Sequence, residues 1–332
     1  MLSVSLIMVV VLALAFDFIN GFHDTANSIA TSVSTRVLSP KKAIFMSATL
    51  NLVGALMSSK VASTIANGLV DSTMIKVQYV IIATLIASIV WDLVTWYIAI
   101  PSSSSHALIG ALIGSSIAYS GGLSIVKWKG VFEKVIIPLI TSPVLGFGMG
   151  FIFMTILYKV LRPYSQRFVN KYFSKLQIIS AAFMAYSHGK NDAQKSMGII
   201  TLALIGANLN GGHVGVQTWV MVACALSMAL GTSIGGWKII KTIGVNMIRL
   251  QPIGGFAAET GAAIVIEAMS AVGAPVSTTQ VISTSIMGVG ASKRLSAVRW
   301  ALARNIVWAW VFTIPVTAIL GAFITTIFKI FV

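Results

Sequence analysis

The chain is poor in charge, and above all in acidic residues. Only 9% of its 332 residues are charged and Asp and Glu together number 8, whereas an ordinary soluble domain carries about 25% charged residues. A single cysteine, Cys224, excludes a disulfide framework and a thiolate metal site. With 57% hydrophobic residues and a mean hydropathy of +0.91, the composition predicts a membrane protein. The net charge of +15 lies mostly in loops, so we expect no nucleic acid partner.

Long apolar runs divide the chain into ten predicted membrane segments. Each run approaches the roughly 20 residues that a helix needs to cross a hydrocarbon core about 30 Å thick. The first half is predicted to contain segments near residues 1–35, 43–59, 77–99, 102–119 and 134–160. The second half is predicted to contain segments near 177–207, 215–236, 251–272, 277–292 and 300–331. We expect an all-α polytopic membrane protein in which some segments are re-entrant hairpins.

Two polar motifs interrupt these apolar runs, and each occurs once in each half. NGFHDTANS at 20–28 returns as HGKNDAQKS at 188–196, and PSSSSH at 101–106 returns as PVSTTQ at 275–280. Halves that break their helices at matching places are typical of a secondary transporter with an inverted-topology repeat, whose site lies where the halves converge. The predicted division is a first repeat at 1–160, a basic cytoplasmic linker at 161–176 and a second, inverted repeat at 177–332.

The distribution of lysine and arginine predicts the orientation in the cell membrane. Loops on one side of the predicted segments hold most of the cations, and the positive-inside rule makes this side cytoplasmic. Both termini are then extracytoplasmic. An odd number of crossings per half also inverts the second half relative to the first, as the repeat requires.

The first motif predicts a cation or proton site. Glycine loosens a helix and asparagine competes for its backbone hydrogen bonds, so we expect Asn20 and Gly21 to break the first helix. Asp24 in hydrocarbon needs a partner or a function, and Asn27 shares its helix face. Oxygens of both residues could ligate a cation. A structural buried ion pair at Asp24 is the alternative.

The second copy of this motif differs in its charge. It keeps Asp192, but Lys195 stands where the first copy has Asn27, and Lys190 is added. Two lysines beside one aspartate leave positive charge that suits an anion. A purely structural charge pair is the competing interpretation.

The proline motifs predict an anion site. Pro101 and Pro275 interrupt the preceding helices, so the hydroxyl runs that follow begin new helices. At a helix N-terminus the free amides and the positive end of the dipole bind anions, and hydroxyls add donors. Two such N-termini facing each other would enclose one tetrahedral oxyanion.

Four stretches of the chain resemble the inorganic phosphate transporter (PiT) family, in particular its low-affinity bacterial and archaeal members. They are FDFINGFHDTANSIAT, TWYIAIPSSSSHALIGALIG, AYSHGKNDAQKSMGII, and GFAAETGAAIVI with GAPVSTTQVIST. The resemblance covers nearly the whole chain. It implies an all-helical inverted repeat with helical hairpins that moves inorganic phosphate, in some members as a metal complex, by symport with H⁺ or Na⁺. It implies no enzymatic activity and no cofactor.

The resemblance and the motifs together assign site residues. Phosphate would bind the hydroxyl residues of the hairpin tips and a lysine: Ser103, Ser104, Ser105, Ser277, Thr278, Thr279, and Lys190 or Lys195. Cation or proton coupling would use the acids, amides and histidines of the motifs and one further acid: Asp24, Asn27, Asn191, Asp192, His23, His188 and Glu259. In sodium-coupled members of the family, the corresponding segments of both halves resemble N-D-x-x-N. Here His23 stands in place of the first Asn of one copy, and Lys195 stands in place of the last Asn of the other. We therefore expect H⁺ coupling, with Na⁺ at Asp24, Asn27 and Asp192 as the alternative.

Other interpretations stay open on the sequence. The same donors suit sulfate or another oxyanion, and phosphate could travel with a divalent metal. A passive channel is another option, and so is an intramembrane metalloenzyme with ligands from His23, Asp24, His188 and Asp192. Apolar outer surfaces allow a homodimer and contact with lipid. The favoured hypothesis is import of inorganic phosphate by H⁺ symport with alternating access.

Overall fold

The computed structural model describes residues 4–70, 78–209, 215–248 and 250–331. Nearly all of these residues lie in helices, and no β-strand occurs among them, so the predicted all-α class is confirmed. The first half forms α1 (Val4–Ser34), α2 (Pro40–Ala55), α3 (Lys60–Gly68), α4 (Gln78–Tyr97), α5 (Ser104–Ser120), α6 (Trp128–Val131) and α7 (Ile137–Leu161). The second half forms α8 (Gln166–Gly206), α9 (Thr218–Ile234), α10 (Trp237–Lys241), α11 (Pro252–Ala271), α12 (Thr278–Lys293) and α13 (Trp300–Phe331). Residues 1, 77 and 332 lie outside the described ranges. The predicted location of the two termini and the predicted start of a segment at residue 77 therefore fall outside them as well.

Several helices have the length and composition to cross a membrane. Within the described residues, 5 helical stretches qualify: Val4–Ser34, Gln78–Tyr97, Trp128–Leu161, Pro252–Ala271 and Trp300–Phe331. Two bent pairs also qualify when each is taken as one span, namely α2 with α3, bent by 62°, and α9 with the helical stretch Trp237–Gly244 that begins with α10, bent by 63°. The outer helices α7 and α13 expose large apolar side chains, as a lipid-facing surface requires.

The predicted break at Asn20 and Gly21 is wrong, because α1 runs through both residues without interruption. Gly21 serves close packing, since a Cβ there would lie only 2.9 Å from the backbone nitrogen of Thr232 in α9. The Asn20 side chain accepts a hydrogen bond of 2.7 Å from Ser104 and does not compete for the backbone of α1. Gly189 of the second copy likewise packs directly on the backbone of α2, and α8 is also continuous.

The helix interruptions lie at the proline motifs. We call residues 98–103, between α4 and α5, tip 1, and residues 272–277, between α11 and α12, tip 2. In each tip one residue adopts the left-handed backbone conformation, Ala99 with φ 58° and Gly273 with φ 72°. The next amide donates to the carbonyl five residues back, at 3.0 Å in both tips. Both hairpins therefore end their first helix with the same C-terminal motif.

The two halves are interleaved by reciprocal contacts. The second helix of each hairpin packs on the last helix of the other half, α5 on α13 and α12 on α7. In the same way α1 packs on α9 and α8 on α2, while α1 and α8 also contact each other. These contacts bring both Asp motifs and both hairpins together. The inverted orientation of the halves and the divisions at 160 and 176 stay predictions, and α8 begins at Gln166 within the predicted linker.

Candidate functional site

The start of α5 meets tip 2 inside the protein. The hydroxyl of Ser105 donates a hydrogen bond of 2.9 Å to the carbonyl oxygen of Val276. Ser103 and Ser277 cap α5 and α12 by accepting a hydrogen bond from an N–H of the first turn, at 3.3 Å in both helices. The N-terminal ends of α5 and α12 are therefore adjacent, as an anion site between two helix dipoles requires.

The hydroxyls at the starts of α5 and α12 donate to Asp24 and Asp192, the aspartates of the two Asp motifs. Thr278 donates to Asp192 at 3.1 Å, and Ser104 shares its hydroxyl proton between Asn20 at 2.7 Å and Asp24 at 3.1 Å. Each of these contacts stays within one half of the chain. Thr279 donates to Asp24 at 3.4 Å and connects the halves. All these side chains are buried.

Asn27 connects α1 to the start of α12. Its Nδ2 donates to Thr279 at 2.8 Å and lies 3.3 Å from the hydroxyl oxygen of Thr278. Its Oδ1 has no hydrogen-bond partner among the described residues, although it is buried. An amide oxygen without a donor, close to a carboxylate, is a suitable ligand for a hard cation.

Each central aspartate has a basic partner from its own helix. Nδ1 of His23 lies 2.7 Å from Asp24, and Nζ of Lys195 lies 3.0 Å from Asp192. Nε2 of His188 lies 3.3 Å from the second carboxylate oxygen of Asp192. We call the following residues the central cluster: Asp24, Asn27, Ser104, Asp192, Lys195, Thr278 and Thr279.

His23 extends the hydrogen-bonded groups from the central cluster to tip 1. Its Nε2 lies 3.2 Å from the hydroxyl oxygen of Thr95, which lies 2.8 Å from the hydroxyl oxygen of Ser102. A histidine whose two nitrogens contact a carboxylate and a hydroxyl can pass a proton between them. The site thus brings together the carboxylates of Asp24 and Asp192, the buried ammonium of Lys195, the imidazole of His23 and several hydroxyls.

Comparison with known proteins decides the family. The model of the phosphate transporter family matches residues 20–321. The chain belongs to the phosphate transporter family. The "Probable low-affinity inorganic phosphate transporter" of Bacillus subtilis (strain 168) is 51% identical over 318 residues, 95% of each chain. Its namesake in Rhizobium meliloti (strain 1021) is 45% identical over 318 residues, 96% of this chain and 94% of the relative. The predicted family, and the prediction of a transporter and not an enzyme, are confirmed.

The fold of this transporter is also that of a solved structure. "The sodium-dependent phosphate transporter" has a TM-score of 0.88 to it, covering 99% of this chain and 100% of that chain at 23% identity. At this identity the likeness establishes the fold, and the sodium dependence is a property of the neighbour. The predicted helical membrane fold is confirmed by this match.

Lys190 lies outside the transporter's central cluster. Its Nζ forms an ion pair of 2.6 Å with Glu267, and the two side chains are 20% and 23% exposed. Lys195, on the same helix, is 1% exposed and faces Asp192. Lys190 and Lys195 were both predicted to bind phosphate, and of these two only Lys195 belongs to the central cluster.

Asn191 and Glu259 also lie outside it. Nδ2 of Asn191 donates to Ser270 at 2.7 Å. Glu259 is fully buried and accepts hydrogen bonds from Thr31, Ser180 and Gln177, the last at 3.3 Å. These bonds join α1, α8 and α11 at a second polar site of the transporter.

Three residues of the cluster region had no functional assignment from the sequence. Asn20 accepts a bond from Ser104, and Thr95 contacts His23. Asn51 in α2 lies 3.2 Å from Nδ1 of His188. Thr95 begins the TWYIAIPSSSSH stretch, so its position near a motif could have indicated a role at the site. Asn51 is part of no motif, and the sequence offered no reason to select it.

Two aspartates of the central cluster and the neighbouring His188 could hold a cation. Asp24, His188 and Asp192 offer ligand atoms that all lie within 4.8 Å of one another. The ammonium of Lys195, 3.0 Å from Asp192, opposes a second positive charge there. Asn27, three residues after Asp24 on α1, offers a further oxygen ligand that carries no charge.

Proposed function

We propose that this transporter imports inorganic phosphate by H⁺ symport with alternating access. The observation that carries the proposal is that the hydroxyls of Ser104, Thr278 and Thr279 donate to Asp24 and Asp192. These hydroxyls lie in the first turns of α5 and α12, where donors suited to phosphate converge. A phosphate and the two carboxylates would therefore compete for the same donors.

Proton binding would change the outcome of that competition. A protonated carboxyl has lost the charge that makes it a strong acceptor, so Ser104 and Thr279 can turn from Asp24 to a phosphate oxygen. Protonation of Asp24 then raises the affinity for phosphate, and bound phosphate favours protonation by the same factor. His23 contacts Asp24 and Thr95 and is placed to deliver the proton.

Lys195 would supply the positive charge that offsets the substrate. Its buried ammonium already faces Asp192, and a phosphate between the helix starts would share it. We assign this role to Lys195 and not to Lys190, because the Lys190 ammonium is paired with Glu267. Glu259 would act outside the cluster, as a proton-binding group beside α1.

Alternating access would use the hairpins one at a time. The bond between Ser105 and Val276 joins the two hairpins beside the helix starts that carry Ser104 and Thr278. Withdrawal of one hairpin would open the cluster to one side, and withdrawal of the other would open it to the opposite side.

The test is uptake of labelled phosphate by proteoliposomes under two separate driving forces. We expect an imposed pH gradient to drive uptake without sodium, and Asp24→Asn to abolish it. Glu133→Gln, which removes an exposed carboxylate, is the matched control and should transport normally. Uptake driven by a sodium gradient alone would overturn the coupling, and no uptake under either gradient would overturn phosphate transport itself.

Sodium is the second candidate for the coupling ion. The observation in its favour is the buried Oδ1 of Asn27, which lacks a donor among the described residues, near Asp24. The sodium arm of the same assay decides between the ions. Excess sulfate as competitor tests the anion, and a chelator of divalent metals tests whether phosphate travels as a metal complex.

A further inference from the structure

Two lysines contact the hairpins in the same way, one in each half. Nζ of Lys60 donates to the carbonyl oxygen of Ala271, the last residue of α11, at 3.2 Å. Nζ of Lys238 donates to the carbonyl oxygen of Tyr97, the last residue of α4, at 3.4 Å. The last carbonyls of a helix are unpaired and carry the negative end of its dipole, so they attract cations. Each lysine therefore binds its hairpin where the first helix ends and the tip begins.

A threonine four residues after each lysine adds a second contact. Thr242 donates to the carbonyl oxygen of Ala99 in tip 1 at 3.1 Å. The Thr64 hydroxyl donates to the carbonyl oxygen of Lys60 at 3.3 Å and contacts tip 2 by packing, since a Cβ on Gly273 would be 3.0 Å from its oxygen. Ala99 and Gly273 are the left-handed residues of the two tips. A lysine and a threonine four positions apart share one helix face, so each pair contacts one tip together.

The two pairs occupy equivalent places in the fold. Lys60 begins α3 and Lys238 lies in α10, the short arms of the two bent helix pairs. The long arms α2 and α9 pack on α8 and α1, the helices that carry the Asp motifs. Each bent pair thus connects the helix of one Asp motif to a hairpin tip.

We propose that Lys60 with Thr64 and Lys238 with Thr242 are positioning residues that hold the two hairpins closed over the central cluster. We call each pair a latch. The proposal rests on the alternating access proposed above, because the first latch holds tip 2 and the second holds tip 1. Release of one latch while the other stays engaged opens the cluster to one side only.

The two latches are reinforced by different neighbours. Lys134 donates to the carbonyl oxygen of Val272 at 3.1 Å and adds a second ammonium to tip 2. Lys238 lies 4.8 Å from the ring centroids of both Trp96 and Tyr97, which adds cation–π attraction at tip 1. After loss of Lys60, tip 2 keeps its bond from Lys134, and after loss of Lys238, tip 1 keeps its bond from Thr242, so folding should survive.

The test measures how each tip opens. In a Cys224→Ala background, which has no other cysteine, a single reporter is introduced as Ala274→Cys in tip 2 or Ile100→Cys in tip 1. In detergent, where both sides of the protein are accessible, the rate of modification by a water-soluble thiol reagent reports how often each tip is open. Since a charge at a helix end changes an equilibrium by roughly two- to fivefold, Lys60→Gln should raise modification at Ala274→Cys by this factor without raising it at Ile100→Cys. Lys238→Gln should do the reverse.

Two further variants separate a latch from general loosening of the fold. The double variant of Lys60→Gln with Lys238→Gln should return the ratio of the two modification rates to the parent value, because both open states gain equally. Lys60→Arg, which keeps the charge, should behave like the parent. A rise at both reporters in each single variant, or no change in any variant, would overturn the proposal.

Matched controls come from two lysines that bind the C-terminal ends of α3 and α5, away from both tips. Lys127 donates to the carbonyl oxygen of Asn67 at 2.8 Å, and Lys329 donates to that of Tyr119 at 3.3 Å. Their glutamine variants should leave both modification rates unchanged, and equal effects there would count against the latches. Phosphate uptake by the Cys224→Ala parent is measured first, so failure of the proposed function is recognised separately.

Discussion

The Ser105 hydroxyl donates a hydrogen bond of 2.9 Å to the Val276 carbonyl oxygen, across 171 positions of the chain. This bond joins the two hairpins at the point where their helix starts surround the central cluster. A neutral hydrogen bond contributes only about 0.5–1.5 kcal/mol net. Under the alternating access proposed above, such a contact is weak enough to break in every transport cycle.

Removal of a tip hydroxyl should weaken phosphate binding. Thr278→Val and Thr279→Val keep the shape of the side chain and lose the donor that would bind phosphate. Loss of about 1.4 kcal/mol corresponds to a tenfold rise in the phosphate KM, measured from the concentration dependence of uptake. Thr284→Val is the matched control, since its hydroxyl bonds only to backbone carbonyls of α12. A similar rise in the control would show that the effect is structural.

Replacement of the buried ammonium should change the response to sodium. Lys195→Asn re-creates the spacing of Asp24 and Asn27 in the second motif and removes the ammonium partner of Asp192, which leaves Nε2 of His188 at 3.3 Å as its basic neighbour. A buried carboxylate that loses its paired ammonium is strongly unfavourable, so we expect the site to accept Na⁺ in its place. Uptake in sodium chloride should then exceed uptake in choline chloride at the same pH. Lys190→Asn should stay indifferent to sodium, and indifference in both variants would contradict the prediction.

Replacement of the tightly packed glycines of the Asp motifs by alanine should destabilise the protein. In Gly21→Ala and Gly189→Ala the new Cβ would meet the backbone of α9 or α2. Overpacking of this kind costs about 1–3 kcal/mol or more, so the temperature of unfolding in detergent should fall. Gly148→Ala in α7 meets no atom within 4 Å and should be neutral or stabilising. Unchanged stability of Gly21→Ala would show that α1 and α9 are farther apart than described.

The left-handed residues of the tips should respond in opposite directions. Ala99 has φ 58°, a conformation that costs a residue with a Cβ about 1–2 kcal/mol. After allowance for the greater freedom of glycine in the unfolded chain, Ala99→Gly should stabilise the protein by about 0.5–1 kcal/mol. Gly273→Ala, at φ 72°, should destabilise it. Thermal unfolding of both purified variants checks the pair, and a change of the same sign in both would refute the argument.

The bounds of α11 and α13 followed from the sequence to within a residue, whereas α8 begins at Gln166 and not near the predicted residue 177. The segments predicted at 251–272 and 300–331 form helices Pro252–Ala271 and Trp300–Phe331. The length of an apolar run and the position of a proline are local properties of the sequence. The membrane helices and their interruptions at Pro101 and Pro275 could therefore be predicted. The break expected at Gly21 failed because a glycine inside a helix also permits close approach of a neighbour. Only the packing partner distinguishes these two uses.

The sequence by itself determined that this protein is a helical membrane transporter and which residue types recur in its two halves. The tertiary structure decided which of those residues meet. Lys190 and Lys195 are five positions apart on α8, hence about 140° apart around the helix, and packing directs one to Glu267 and the other to Asp192. The bond from Thr279 to Asp24 joins residues 255 positions apart. Such pairings depend on how α1, α8 and the hairpins pack together, which no local pattern of residues specifies.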